Sequence, residues 1–389
     1  MDGIEFRVPR QDHIVVEDFL APAPAAVRGI QLEVTNLDRH ADVAATARNA
    51  DREVTVDPMT ERLCHVGFAE DRVPFADLYP IDQLDLTRSA SARAVLAERL
   101  IDIQRPHVTT YTPAGFFVAD SDDVGLNLAM IHQTRALVPG EELRPILAVD
   151  SRYLAKKGVA ATIARAYRDA GVNRLELRIS PLGGHDMGPI KIRNTLAALA
   201  AFKTADIDVL LAESGLIGHA ATALDLAKSF SVGVGYWEKF DHKSTVSRQV
   251  KNADPTDEEE TNGPRGAQAN VYLPGAEIAV PRKMAKFLYA NTAVRSKLGC
   301  QIGKCSSAID GPLADVRGHY LHSQALAVEA MLDQPPAWRP TLFRDRLDAA
   351  VRRRGELWKA LPADVVAPKS KTLDSLIDEV DRRRGQAAA

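Results

Sequence analysis

The sequence predicts an α/β chain whose body is a (β/α)8 TIM barrel with a C-terminal helical extension. Three observations predict it. Short β-rich runs alternate with amphipathic helical runs about eight times, an order that implies parallel strands joined by right-handed crossovers. The units occupy about 270 of the 389 residues, the span of one barrel. The runs between the strands repeat apolar residues every three or four positions, as helices packed on a sheet do.

In order, the strands read as "GIQLEVTNLD" from Gly29, "REVTVDP" from Arg52, "HVTTYTPAGFFVAD" from His107, "RPILAVDS" from Arg144, "NRLELRIS" from Asn173, "DVLLAESG" from Asp208, "SVGVGYWEKFD" from Ser231 and "NVYLPGAEIAV" from Asn270. Between them, "GVAATIARAYRDAG", "IKIRNTLAALAAFKTA" and "HAATALDLAKSF" repeat apolar residues every three or four positions, as helices with one buried face do. Residues 1–28 read as an N-terminal extension and 29–298 as the barrel. Residues 299–335 form a Cys/His segment with a helix, and 336–389 a helical tail interrupted by "PADVVAPKS". The stretch from His242 to Gln268 is broken by Pro255, Gly263 and Pro264 and predicts a poorly packed loop, with the acidic run Asp257 to Glu260 as its solvated face.

At 46% apolar residues the chain can bury a large core, which argues against disorder. Three cysteines, Cys64, Cys300 and Cys305, are too few for a disulfide framework and suit a reducing compartment. The opening "MDGIEFRVPRQDHIVVEDF" lacks the basic and apolar regions of a leader, and no apolar run reaches the roughly 18 residues that span a bilayer. The expectation is a soluble cytoplasmic protein that does not engage membranes. A net charge of -3 argues against an all-basic surface but leaves local phosphate-binding patches open.

Catalytic groups of a barrel project from the carboxyl ends of its strands. The polar residues there are rich in carboxylates: Asp38, Asp57, Asp120, Asp122, Asp150, Glu213, Glu238 and Asp241. Carboxylates brought together divide into an acid and a base or nucleophile, although aspartate also caps helices in such loops. Asp57 stands out because "TVDPMT" places it between an apolar strand and a proline. Glu238 and Asp241 stand out because "GVGYWEKFD" sets them beside Tyr236 and Trp237, which could stack on a planar ligand or seal the mouth. In "SPLGGHDMG", Gly183 and Gly184 could turn backbone N–H groups toward a ligand or simply form a turn, and His185 and Asp186 are weaker metal-binding candidates.

Cys300 and Cys305 are followed by His319 and His322, and two histidines three positions apart share one helical face. Two sulfurs and two nitrogens are the ligands of a structural zinc ion, though the spacing is irregular for a finger. The alternative makes the cysteines small buried apolar groups.

This order of elements resembles the tRNA-guanine transglycosylases, barrel enzymes in which a cysteine cluster and a helix-borne histidine bind structural zinc after the last strand. "CQIGKC" with "RGHYLHSQALAVEAM" is similar to that cluster, and "DVLLAESGLIGHAATALDLAKSFSVGVGYWEKFD" looks like the strands and glycine turn leading to the catalytic Phe-Asp. The family's second aspartate precedes Ser-Gly-Gly, whereas Asp57 precedes Pro58, Met59 and Thr60, and two cysteines stand where the family has three. The resemblance implies exchange of guanine for a deazaguanine-like base in nucleic acid, tRNA or DNA. Asp241 would attack C1′ with Glu238 as a nearby substitute, and Asp57 would act as acid and base. Gly183, Gly184 and Glu213 would bind the substrate, Trp237 or Tyr236 would stack on the base, and the nucleotide would be turned out of its helix. Arg352 to Arg354, Arg382 to Arg384, Lys243, Arg248 and Lys251 could meet phosphates, and a homodimer is one assembly the reading allows.

Two other classes stay open. One is a metal-dependent barrel hydrolase or lyase acting on a small molecule through Asp57, Glu213 and His185. The other is a non-catalytic barrel that serves as a scaffold or partner protein.

Overall fold

The computed structural model describes residues 2–64, 83–235, 238–245, 247, 270–295, 297–298, 300, 302–306, 310–362 and 365–388. Its strands are β1 (Gly3–Val8), β2 (Val27–Glu33), β3 (Glu53–Asp57), β4 (Ile146–Asp150), β5 (Arg174–Ser180), β6 (Leu182–Gly183), β7 (Asp208–Leu211), β8 (Ser229–Gly233), β9 (Lys239–Phe240), β10 (Val271–Leu273) and β11 (Ile278–Val280). Seven of them make one parallel sheet in the order β3-β2-β1-β8-β7-β5-β4.

The sheet curls until its two edges meet the same segment. Thr109 N donates to Val54 O in β3 at 3.0 Å, and Val118 N donates to Ala148 O in β4 at 2.8 Å. This is a TIM-like α/β arrangement in which residues 109–118 stand in the place of one strand. They form only isolated bridges, Tyr111 with Leu143 and Val118 with Val149. Pro113 lacks an N–H for a ladder, and a Cβ on Gly115 would come 2.6 Å from Ile146 O, so chain and neighbour pass too closely for a side chain.

Two sequence expectations change. The strand read at Asn270 is the antiparallel hairpin β10–β11, which lies outside the sheet over a second small core with Leu288, Leu298 and Leu357. The strand that the sheet uses instead is β1, from the supposed N-terminal extension, and it sits between β2 and β8. Alternation explains the misreading: "GIEFRV" sets Ile4, Phe6 and Val8 in the apolar core and turns Glu5 and Arg7 the other way, so it resembles a half-exposed strand.

Helices His13–Leu20, Ala41–Asn49, Val159–Asp169 and Pro189–Thr204 bury their apolar faces in that same core. The helix Val316–Leu332, whose N-terminus is capped by Asp315 through Gly318 N at 2.8 Å, packs on β1 and on helix His13–Leu20. The tail helices Arg339–Lys359 and Lys371–Ala388 pack on each other, and the latter buries Leu373, Leu376 and Val380 in the main core. No helix among the described residues is long and apolar enough to cross a membrane.

Candidate active site and metal cluster

The inward face of the sheet is charged. Parallel strands covered by helices are ordinarily apolar on both faces, yet here alternate residues carry Glu5 and Arg7, Gln31 and Glu33, Glu53, Thr55 and Asp57, and Arg174, Glu176 and Arg178. Deepest lies Arg144, whose guanidinium donates to both oxygens of Glu5 at 2.7 and 2.9 Å and to Thr55 Oγ1 at 2.8 Å. Above it, Arg178 meets Glu176 at 2.7 Å and Gln31 Oε1 at 3.1 Å. Both of these buried guanidiniums thus face carboxylates, which is the condition for keeping such charges out of water.

At the carboxyl ends of the strands this ladder reaches Asp57. Its Oδ2 receives Arg7 at 2.8 Å and Arg178 at 2.9 Å, and its Oδ1 accepts Met59 N at 2.9 Å. Burial would raise this carboxyl, but the two arginines outweigh it and hold it down at about 2. Asp57, expected as an acid and base, is wholly buried, with its oxygens engaged by Arg7, Arg178 and Met59 N. Arg7 also binds Glu213, which burial pushes up and Arg7 and Arg178 only partly bring back.

Above Arg7 opens a cavity of about 460 Å³ lined by Glu61, Arg62, Glu213, Glu238, Asp241 and His242, among others. Two of its four carboxylates, Glu238 and Asp241, flank one short ribbon. Glu238 is pushed up by burial, against the hydroxyl of Tyr320, which donates to Oε1. Asp241 is held below the usual range: burial opposes this, and Lys239 Nζ at 2.9 Å and Ser244 N at 3.2 Å prevail. His242 is fixed by its N–H to Ser180 Oγ at 2.9 Å and by stacking on Phe117 at 4.1 Å between ring centres.

Gly183 and Gly184 hold that ribbon. Leu182 and Gly183 pair antiparallel with Phe240 and Lys239, and Gly184 N donates to Glu238 O at 2.8 Å. The Gly184 N–H expected to meet a ligand is therefore spent inside the chain. With φ at +96°, Gly183 lies so close that a Cβ would come 1.9 Å from Glu238 O, so only glycine fits. Tyr236, Trp237, Arg248, Lys251, Asp257 to Glu260 and most of the loop from His242 to Gln268 lie outside the described residues.

Other candidates have structural duties. Asp150 caps the short helix Ser151–Leu154, accepting from Arg152 N at 2.7 Å, and Asp120 accepts Asp122 N at 3.0 Å. Asp38 and Asp186 are exposed. His185 gives its carbonyl to Thr372 N at 3.0 Å, and no metal-binding group forms around it with Asp57 and Glu213 among the described residues. Arg354 is buried against the carbonyls of Ala276 and Glu277, while Arg382 and Arg383 bind Glu379, so these arginines are not free for phosphates.

Behind Glu238 runs a polar network that sequence reasoning missed. Gln324 Oε1 accepts from His219 Nε2 at 2.9 Å, His219 Nδ1 faces Arg346 at 3.4 Å, and Arg346 pairs with Glu277 at 2.5 Å. Tyr320 and Gln324 stand on the helix that carries His319 and His322. Cys300, Cys305, His319 and His322 do converge, with ligand atoms all within 4.8 Å of one another, and they can hold a metal ion. His319 fits that reading further. Its Nε2 bonds to Tyr272 O at 2.8 Å, while the buried Nδ1 has no hydrogen-bond partner, the arrangement that fixes a metal-ligating tautomer.

No protein-family model and no curated sequence matches this chain. Among solved structures it is similar to a crystal structure from Toxoplasma gondii ME49 provisionally assigned as a deoxyribose-phosphate aldolase. The identity is 10%, the coverage 66% of this chain and 94% of that one, and the TM-score 0.38. A likeness of this order carries no argument about activity.

Proposed function

We propose that the cavity above Arg7 is the active site of a (β/α)8-barrel enzyme, a hydrolase or lyase that cleaves a bond in a small polar substrate by acid–base catalysis. The observation that carries this is the pair Glu238 and Asp241, which line one cavity with acidities displaced in opposite directions. Glu238 holds a proton for the leaving group, and Asp241 stays ionised to activate water or take a proton from carbon. Arg7 and Arg62 line the same cavity and offer N–H groups to a polar substrate. Glu238→Gln and Asp241→Asn should each lower turnover by about a hundred- to ten-thousand-fold against a substrate panel, while exposed Asp38→Asn should not. Full activity in either site variant refutes the assignment.

Base exchange at a nucleotide is the second reading, favoured by the Cys/His cluster that follows the barrel. Asp241 would then attack C1′ and Glu238, rather than Asp57, would protonate the departing base. We read the cluster as a zinc site, because Cys300 and Cys305 Sγ each lie 3.5 Å from His322 Nε2. A tetrahedron with Zn–S near 2.3 Å and Zn–N near 2.0 Å has an S–N edge of about 3.5 Å. Zinc there would pin the histidine helix to the preceding segment. Incorporation of labelled guanine or a deazaguanine into tRNA or DNA, lost in Asp241→Asn, supports this reading, and absence of incorporation rejects it.

A further inference from the structure

Beside the mouth lies a second open cavity of about 450 Å³, and three cations from three elements line it: Arg152, Lys191 and Lys371. Among the described residues none of them has a carboxylate within ion-pair distance; Lys191 is half-buried, and Arg152 and Lys371 are exposed. Two of them stand at the positive end of one helix. Lys191 occupies the first turn of helix Pro189–Thr204, which has no acidic residue there and no side-chain cap. Lys371 Nζ reaches over the N-cap, 3.6 Å from where a Cβ on Gly188 would sit. Cations at the positive end of a helix are unfavourable unless an anion joins them. Burial lowers the Lys191 ammonium first, Lys239 and Arg152 lower it further, and the carboxylates of Asp241 and Asp150 oppose them without prevailing. By contrast, the adjacent short helix Ser151–Leu154 already has its anion, Asp150.

We propose that this cavity is an oxyanion subsite that takes the phosphate group of a phosphorylated substrate, with Ile179 and Ile190 against its carbon part. The inference deepens the reading of the mouth and rests on it for the word substrate: Ile179 lines this cavity, and the next residue, Ser180, accepts the N–H of His242, which lines the mouth, at 2.9 Å. A phosphate held at Lys191 would leave the rest of the molecule near Asp241.

The test is direct binding to the full chain by calorimetry, without turnover, so its outcome is independent of whether Glu238 is the acid. The probes are inorganic phosphate, phenyl phosphate, and a single-stranded oligonucleotide without terminal phosphates. Phenyl phosphate should bind more tightly than inorganic phosphate, and Lys191→Ala and Lys371→Ala should each weaken it about tenfold, as losing one charge-assisted contact does. Both residues are at least partly exposed, and circular dichroism with a melting curve checks that the double variant folds. If the oligonucleotide binds in the same lysine-dependent way and phenyl phosphate does not, the subsite stands and its phosphate comes from a nucleic-acid backbone. Binding by none of the probes, or binding unchanged in the double variant, overturns the proposal. Glu238→Gln should leave phenyl phosphate binding intact, which separates a failure of the subsite from a failure of the catalytic reading.

Discussion

Arg178 Nη1 lies 2.9 Å from Asp57 Oδ2, and both side chains are completely buried. The same guanidinium binds Glu176, so its loss takes a cation from two buried carboxylates and leaves Asp57 to Arg7 and Glu176 to Gln31. Arg178→Met should therefore cost about 3–5 kcal/mol of unfolding free energy, read by urea titration. Adding Asp57→Asn should recover part of it. Near-native stability of Arg178→Met would show that the interior charges are hydrated instead.

Gly183→Ala tests the ribbon that carries Glu238. The added methyl meets Glu238 O in a backbone region that alanine avoids, whereas at Gly184 the nearest atoms are 3.8 Å away. Displacing the acid by an ångström should lower turnover about a hundredfold, with a smaller loss in Gly184→Ala. Equal effects of the two changes would count against the close approach.

Protein purified without chelator should carry about one metal ion per chain at the Cys/His cluster. Cys305→Ala should lose it and lower the melting temperature, as should strong chelation of the unaltered protein. A metal-free chain with the same melting curve as one supplied with zinc removes the structural role.

His219 sets a pH dependence. Its Nε2–H is given to Gln324 and its Nδ1 faces Arg346, so burial and that guanidinium push its pKa down to about 3. An unfolded histidine takes its proton near 6.5, so the stabilisation is complete above that pH and is lost as pH falls toward 3. Within this window His219→Gln should flatten stability against pH by about 1.4 kcal/mol per unit. His40, lowered to about 4, keeps a residual slope in the variant. An unchanged slope would mean that His219 is protonated in the fold.

Strand–helix alternation, the carboxylates at strand ends and the Cys/His grouping were all legible, because each rests on local spacing. The signal for the polar interior was present too: "GIEFRV", "EVTVD" and "RLELRIS" alternate charge with apolar residues. Alternation looks the same whether the polar face meets water or a closed interior, and this is why β1 reads as an extension.

The sequence by itself determined the α/β class, the position of Glu238 and Asp241 at the end of the seventh predicted strand, and the residue types of the Cys/His cluster, since period and residue chemistry do not depend on distant partners. Only the tertiary structure decided that Asp57 is held by Arg7 and Arg178 while Glu238 and Asp241 line the cavity. Asp57 and Arg178 are 121 positions apart. Whether a carboxylate is neutralised or available depends on which charge the curled sheet brings across the interior, and that is a property of closure rather than of any segment.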